Sequence, residues 1–249
     1  MGVKVERQGH AAVVTLDWPE QRNSMGPDEC KQLSAALANV ADDQSVCGVV
    51  ITGNGAFCSG GNLKGTSERT GMPEEERRNI VYGAYQGMIR SVIGVPVPTV
   101  AAVDGPAIGM GLDIALACDS RFIGPKGWAM QGWGRVGFVP GTGGELLLRL
   151  RAPGVLWKLL EEQQRIDAAG MEKLNLGESS GDMSALERAV QRVNALAPMS
   201  RESLGFYVEL HRDFLRRELD YHLEMAVTRQ IKVLSNPDVK ARIAAVMKK

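Results

Sequence analysis

The sequence predicts an α/β fold in which a mixed strand–helix portion, about residues 1–165, precedes an all-helical portion, about residues 166–249. Three observations carry that expectation. Val46–Thr52 and Val95–Val103 are continuous apolar runs with the length and composition of strands buried on both faces. Each run ends in a glycine-rich turn, GNGAFCSGGNLKG after the first and DGPAIGMG after the second. Beyond about residue 165 apolar residues recur at helical spacing, and no further strand-like run follows. No internal repeat or low-complexity linker separates the two portions, so the boundary is soft and the helical part reads as an extension.

In chain order, Lys4–Glu6 and Ala11–Asp17 read as a hairpin turning at Gln8-Gly9. Trp18-Pro19 stops the second strand. Pro27-Asp28-Glu29 opens a helix to about Ala41, with acidic residues in its first turn and Leu33, Leu37 and Val40 as its apolar stripe. After the Val46–Thr52 strand and its turn, Thr66–Glu76 is polar, holds Gly71 and Pro73, and reads as a mobile loop. A helix from about Glu74 to Ile93 leads into the Val95–Val103 strand. Ser120–Gly124 reads as a short strand, and Pro125–Gly144 as loop and short turns. Helices follow over Gly144–Leu150, Pro153–Gln163, Asp167–Leu174, Ser184–Leu196, Met199–Leu234 (one or two long helices) and Val239–Met247.

Composition excludes several classes. Lys+Arg 29 balances Asp+Glu 29, so no basic field points to nucleic acid or an anionic membrane. Cys30, Cys47, Cys58 and Cys118 lack C-x-x-C spacing, which suits reduced thiols in a cytoplasmic protein rather than a metal or disulfide framework. The start MGVKVERQGHAAVV has no signal-peptide core, and no apolar run is long enough to span a bilayer. No G-x-x-x-x-G-K-[ST] occurs, which excludes a P-loop.

The most informative stretch is Asp104–Arg121, DGPAIGMGLDIALACDSR. Gly105, Gly109 and Gly111 lie between a strand and a helix start, and Asp113 stands in the helix's first turn. That arrangement aims free backbone N–H groups and the positive end of a helix dipole at one point. A phosphate, or an oxyanion forming on a carbonyl, fits such a point.

Several stretches together resemble the crotonase (enoyl-CoA hydratase/isomerase) superfamily. PEQRNSM at 19–25 is similar to its P-E-x-x-N-A-M/L loop, and VCGVVITGNGAFCSGGNLKG at 46–65 to its strand and G-x-x-F-C-A-G-A-D-L turn. Pro96–Arg121 resembles the segment ending G-G-G-x-E-L-A-L-A-C-D-x-R, and VGFVPGTGG at 136–144 resembles G-L-x-P-G-x-G-G. Ile166–Leu176 and the tail around Ser235–Lys240 extend the likeness over nearly the whole chain. The resemblance implies a spiral of β-β-α units forming two roughly perpendicular sheets, with a C-terminal helical region that builds trimers, often paired into hexamers.

It also implies an acyl-CoA thioester as ligand, with coenzyme A part of the substrate and no separate cofactor. Carried over, the two backbone N–H groups that polarise the thioester carbonyl are those of Gly61 and Met110. Ser59, Gly60 and Leu63 fall near the adenine pocket. Arg22 lies in the CoA-contacting loop, either pairing with phosphates or solvated. Asn62 replaces the family's usual Asp and changes a local turn hydrogen bond rather than the chemistry. The carboxylates depart from the pattern. The family's hydratases use two glutamates; the first position is Asp113 here and the second is Trp133. Asp113 is either a helix-start acid or a catalytic, water-holding group. Trp128 and Trp133 either wall an acyl pocket, favouring a bulky or aromatic acyl group, or pack in the core.

Other candidates for the missing acid are Glu145, Glu68, Glu74, Tyr82 and Tyr85, with Glu145 read as a structural helix-start acid. His10 lies in the first hairpin, and His211 and His222 read as residues on solvated helix faces. Lys248 and Lys249 are either CoA contacts across subunits or solvated. The resulting expectation is a hydratase/isomerase-type enzyme with one carboxylate in place of two. The alternatives are a non-catalytic acyl-CoA binder, or a decarboxylase or dehydratase acting on a carrier-linked thioester.

Overall fold

A computed structural model describes residues 1–247. Strands β1 (Gly2–Gln8) and β2 (Ala11–Asp17) form the expected antiparallel hairpin. Helix α1 (Pro27–Asp42) crosses to β3 (Gly48–Gly53), which pairs parallel to β2. Helices α2 (Leu63–Arg69) and α3 (Glu74–Ile80), a π-helical stretch (Val81–Gln86) and α4 (Gly87–Gly94) precede β4 (Thr99–Val103). Then come β5 (Pro106–Ile108), α5 (Met110–Ala117), β6 (Ser120–Ile123) and β7 (Trp128–Met130). They are followed by α6 (Gly144–Arg151), α7 (Val155–Glu162), β8 (Ile166–Asp167), α8 (Ala168–Lys173) and β9 (Glu178–Ser179). Helices α9 (Ala185–Asn194), α10 (Arg201–Leu234) and α11 (Pro237–Met247) finish the described chain.

The strands form a six-stranded sheet in the order β1-β2-β3-β4-β6-β9 and a three-stranded sheet in the order β5-β7-β8. Strands β2, β3 and β4 are apolar on both faces because both are covered. Ala11, Val13, Val50, Val100, Ala102 and Phe122 face α9, against Ala185, Ala189 and Val193. Ala12, Val14, Leu16, Ile51 and Val103 face the main core with Leu33 and Leu37 of α1.

Three expectations are corrected. The polar stretch from Thr66 does not begin a loop: α2 runs from Leu63 to Arg69, because the Asn62 side chain accepts a hydrogen bond from Gly65 N (3.0 Å) and caps it. The glycine-rich segments hide β5 and β7, three residues each, which pair parallel with each other. The chain beyond residue 165 is not wholly helical, since β8 pairs with β7 and β9 extends the large sheet beside β6. Strands of two residues leave no readable alternation in a sequence.

Helix α10 is anchored to the core through Arg212, which is only 1% exposed. Its Nε and Nη2 donate to the Asp119 carboxylate at 2.8 and 2.5 Å. Its Nη1 donates to the carbonyls of Ile93 and Val95 at 2.7 and 2.6 Å, and Nη2 also reaches Val97 O and Thr99 Oγ1, each at 3.2 Å. Burial by itself would raise the Asp119 pKa. The Arg212 hydrogen bonds and charge, with hydrogen bonds from Thr99, hold it below the usual carboxylate range. Arg212→Ala strands a buried carboxylate and several carbonyls. We expect it to lose about 3–5 kcal/mol of stability in urea denaturation at neutral pH; a loss under about 1 kcal/mol would refute this anchoring role.

Candidate functional site

Parallel neighbours β3 and β4 end on the same side of the sheet, and the turn after each closes onto the other. Cys58 N donates to Pro106 O (3.0 Å) and Ile108 N donates to Cys58 O (2.9 Å), so the first turn pairs with β5. The glycines make this approach possible. A Cβ on Gly111 would lie 2.1 Å from Cys58 O, and one on Gly105 would lie 2.0 Å from Gly55 O. Gly60 and Gly109 have φ of +102° and +54°, conformations that disfavour other residues.

This geometry leaves two donors free. Met25 N bonds to Gly60 O and Asn62 N to Met25 O, which brackets Gly61 without using its own N–H. Met110 is the first residue of α5, where the helix offers its N–H no carbonyl. Among the described residues neither N–H has a hydrogen-bond acceptor.

Both residues line a cavity of about 840 Å³. Arg22, Ser59, Gly60, Leu63, Trp128 and Trp133 line it too, so eight of the nine expected site residues meet in one space. The ninth, Asp113, is 4% exposed and does not line the cavity. Its Oδ2 accepts hydrogen bonds from Trp133 Nε1 (3.0 Å) and Thr142 Oγ1 (2.5 Å), and both of those residues are in the cavity wall. Gly144 is the residue that gives the carboxylate room, since a Cβ there would lie 2.1 Å from Oδ1. Burial pushes the Asp113 pKa up to about 7, against the lowering effect of the Thr142 and Trp133 hydrogen bonds.

The remaining candidates divide. Tyr85 lines the cavity, and its hydroxyl accepts from Arg69 Nη2 at 2.8 Å; burial pushes its pKa up to about 12. Glu68, Glu74 and Glu145 are not in the wall. Glu145 instead pairs with Arg149 and His222 at 3.6 and 3.5 Å. Tyr82 is exposed beneath the Arg90 guanidinium, which sits 4.6 Å from its ring. His10 and His211 are exposed, but His222 is buried, so its expected solvated position is corrected. Burial lowers its pKa. Lys248 and Lys249 lie outside the described residues.

Trp128 carries the Arg165 guanidinium 4.3 Å from its ring, and Trp133 is tilted against Phe138 with centroids 6.2 Å apart. Ser59 N donates to Arg22 O at 3.1 Å, tying the two loops that carry them. Buried Asn23 fixes the Arg22 loop: its Oδ1 accepts from Trp18 N (2.8 Å) and its Nδ2 donates to Ala56 O (2.6 Å).

Sequence reasoning missed Thr142 and most of the cavity's cations. Arg22, Arg69, Arg77, Arg135, Arg165 and Arg242 line the cavity, whereas no Asp or Glu does among the described residues. Thr142 had a weak signal, as the one side chain able to hydrogen-bond within PGTGG. The arginines had none, because they come from separate helices and loops. Among the described residues no cluster of three or more His, Cys, Asp or Glu gathers to hold a metal ion, and no helix is long and apolar enough to cross a membrane.

Comparison with known proteins places this architecture. The family model described as enoyl-CoA hydratase/isomerase matches residues 6–155. A Mycobacterium tuberculosis protein named probable enoyl-CoA hydratase is 36% identical over 146 residues, 58% of this chain; the match spans 55% of that protein's length. The short-chain-enoyl-CoA hydratase of Clostridium acetobutylicum is 26% identical over 239 residues, covering 90% of this chain and 85% of its own. The crystal structure of an enoyl-CoA hydratase from Bacillus halodurans shares the fold, with a TM-score of 0.91 at 21% identity over 98% of this chain and 100% of that one.

The raised Asp113 pKa has a consequence for stability. The folded state favours the protonated acid, so this group's contribution is full below the unfolded value of 3.8 and is lost as pH rises through about 7. Asp113→Asn removes the titration while keeping an oxygen to accept from Trp133 and Thr142. Between about pH 4 and about pH 8 the wild type should lose roughly 4 kcal/mol relative to the variant. Denaturation curves of both proteins across that range check this; a pH-independent difference would show that Asp113 titrates normally.

Proposed function

Since this chain belongs to the enoyl-CoA hydratase/isomerase family, we propose that it processes an acyl-CoA thioester through an enolate held by backbone donors. The observation that carries this reading is the pair of unpartnered N–H groups, Gly61 and Met110, in one arginine-lined cavity. The thioester oxygen accepts from both amides as negative charge develops on it. The N-terminus of α5 adds its dipole at the same point. Such donors are preorganised, because the opposed glycine turns fix them before any ligand arrives.

Asp113 is the acid–base group of this proposal and works through Thr142. The hydroxyl in the cavity wall passes its proton to Asp113 Oδ2 as it takes one from the substrate α-carbon, and the reverse transfer delivers a proton. With a pKa near 7, the carboxyl can hold or release that proton at neutral pH. Trp133 occupies the position of the family's second glutamate and keeps Asp113 oriented through its indole N–H. One carboxylate favours α-proton exchange and double-bond isomerisation over addition of water, which needs a second acid–base group.

Incubation with a panel of enoyl-CoA esters in heavy water tests the reading. We expect deuterium at the α-carbon with wild type, and its near loss in Asp113→Asn and Thr142→Val. Met110→Pro removes one backbone donor at the first helical position, which tolerates proline. It should lower the exchange rate about 10²–10³-fold, while Met110→Leu retains it. If no ester exchanges with wild type, the enzymatic reading is wrong.

We further propose a homotrimer or hexamer, with one face of α10 as its contact. Phe206, Leu210, Phe214 and Tyr221 recur at helical spacing along that helix and are exposed, Leu210 by 76%. Sedimentation should give a trimer or hexamer that Leu210→Glu weakens; a wild-type monomer would refute it.

A further inference from the structure

The protein buries three arginines and treats one of them differently. Arg212 is saturated by a carboxylate, a hydroxyl and three carbonyls. Arg121 donates from Nε to Leu176 O at 2.8 Å and from Nη1 to Cys118 O at 2.9 Å. Arg77, on α3, is just as buried at 8% exposure, yet only its Nη2 is engaged, with Ser235 Oγ at 3.1 Å. Its Nε and Nη1 have no hydrogen-bond partner among the described residues. Arg77 is also the one of the three that lines the 840 Å³ cavity.

A guanidinium stays charged at any physiological pH, so burying it with its donors unpaired is costly. Arg121 meets that cost with backbone carbonyls; Arg77 leaves it to a ligand. Its neighbours in the wall indicate which part of a ligand that is. Ile80 and Val81 follow Arg77 by one helical turn, and Leu234 adjoins the Ser235 that holds it; all three line the cavity. These apolar side chains suit an acyl chain better than a hydrated diphosphate. The exposed Arg22, Arg135, Arg165 and Arg242 are open to phosphates at the surface.

We propose that Arg77 recognises a carboxylate at the far end of the acyl group, so that the substrates are CoA thioesters of dicarboxylic acids. This assignment rests on the reading that the cavity holds an acyl-CoA thioester. The acyl chain lies along Ile80, Val81 and Leu234, and its terminal carboxylate pairs with the Arg77 guanidinium, whose unpaired nitrogens are closed off from solvent and become donors to the ligand through a side-chain shift. The absence of acidic residues from the described wall leaves that cation free for the ligand.

Calorimetric titration with matched saturated esters tests the assignment without requiring turnover: glutaryl-CoA against valeryl-CoA, and adipoyl-CoA against hexanoyl-CoA. With wild type, the carboxylated member of at least one pair should bind about ten- to a hundredfold more tightly. Arg77→Met should bring the members of that pair to equal affinity. Arg77→Lys, a point charge without the planar fork, should keep part of the preference. Circular dichroism reports whether the variants fold, and the wild-type comparison stands without them. Equal affinity within both pairs for wild type overturns the assignment, as does a preference that survives Arg77→Met. A fall in affinity for free CoA in Arg77→Met that matches the fall for the carboxylated esters overturns it as well, by placing a phosphate there. If no ester binds at all, the thioester reading itself fails.

Discussion

The site depends on the face-to-face contact of two backbone turns, 53–62 and 104–110. Parallel β3 and β4 bring the turns together, but only glycine lets them touch. Gly105 and Gly111 place their α-carbons where a side chain would run into the carbonyls of Gly55 and Cys58. Two hydrogen bonds through Cys58 then lock the contact. This leaves the N–H groups of Gly61 and Met110 without an internal partner in the cavity wall. A backbone donor held this way needs no side-chain ordering when a ligand binds, and its identity does not depend on the residue that carries it.

Around these donors the protein separates its charges. The Asp113 carboxylate, four residues after Gly109, is withdrawn behind Thr142 and Trp133, and burial pushes its pKa up to about 7. Positive charge is left facing the cavity on arginines from six different parts of the chain: the loop after β2, α2, α3, the 134–136 turn, the segment before β8, and α11. A ligand bearing several anionic groups is favoured along this cavity, while the Asp113 carboxyl stays behind the wall. The arrangement links the fold to chemistry, because α10 and α11 must be docked before the cavity has its far wall. Arg212 provides that docking by tying α10 to the loop before β4.

Much of this was legible in the sequence. Long apolar runs gave β3 and β4, since strands covered on both faces carry few polar residues, and the hairpin signal at Gln8-Gly9 gave β2. The spacing of Leu33, Leu37 and Val40 gave α1. The glycine turns and Asp113 were visible because a close backbone approach leaves a mark: no residue but glycine fits. Trp133 was also singled out, and the structure places it in the cavity wall with its indole N–H on Asp113. The short strands β5, β7, β8 and β9 were not, because two or three residues carry no period. Helix α2 was missed because its stability comes from the Asn62 cap rather than from an apolar stripe.

The sequence by itself therefore determined the order of the longer elements, the two turns and the family to which the chain belongs, since each rests on local backbone constraints written into consecutive residues. Only the tertiary structure decided that Asp113 lies behind the cavity wall, that Thr142 stands beside it, and that Arg77 is buried without an anion. Those facts concern residues far apart in the chain. Burial, and with it the cost of a charge or the pKa of an acid, is set by what packs around a group in space, which neighbouring residues in the sequence do not record.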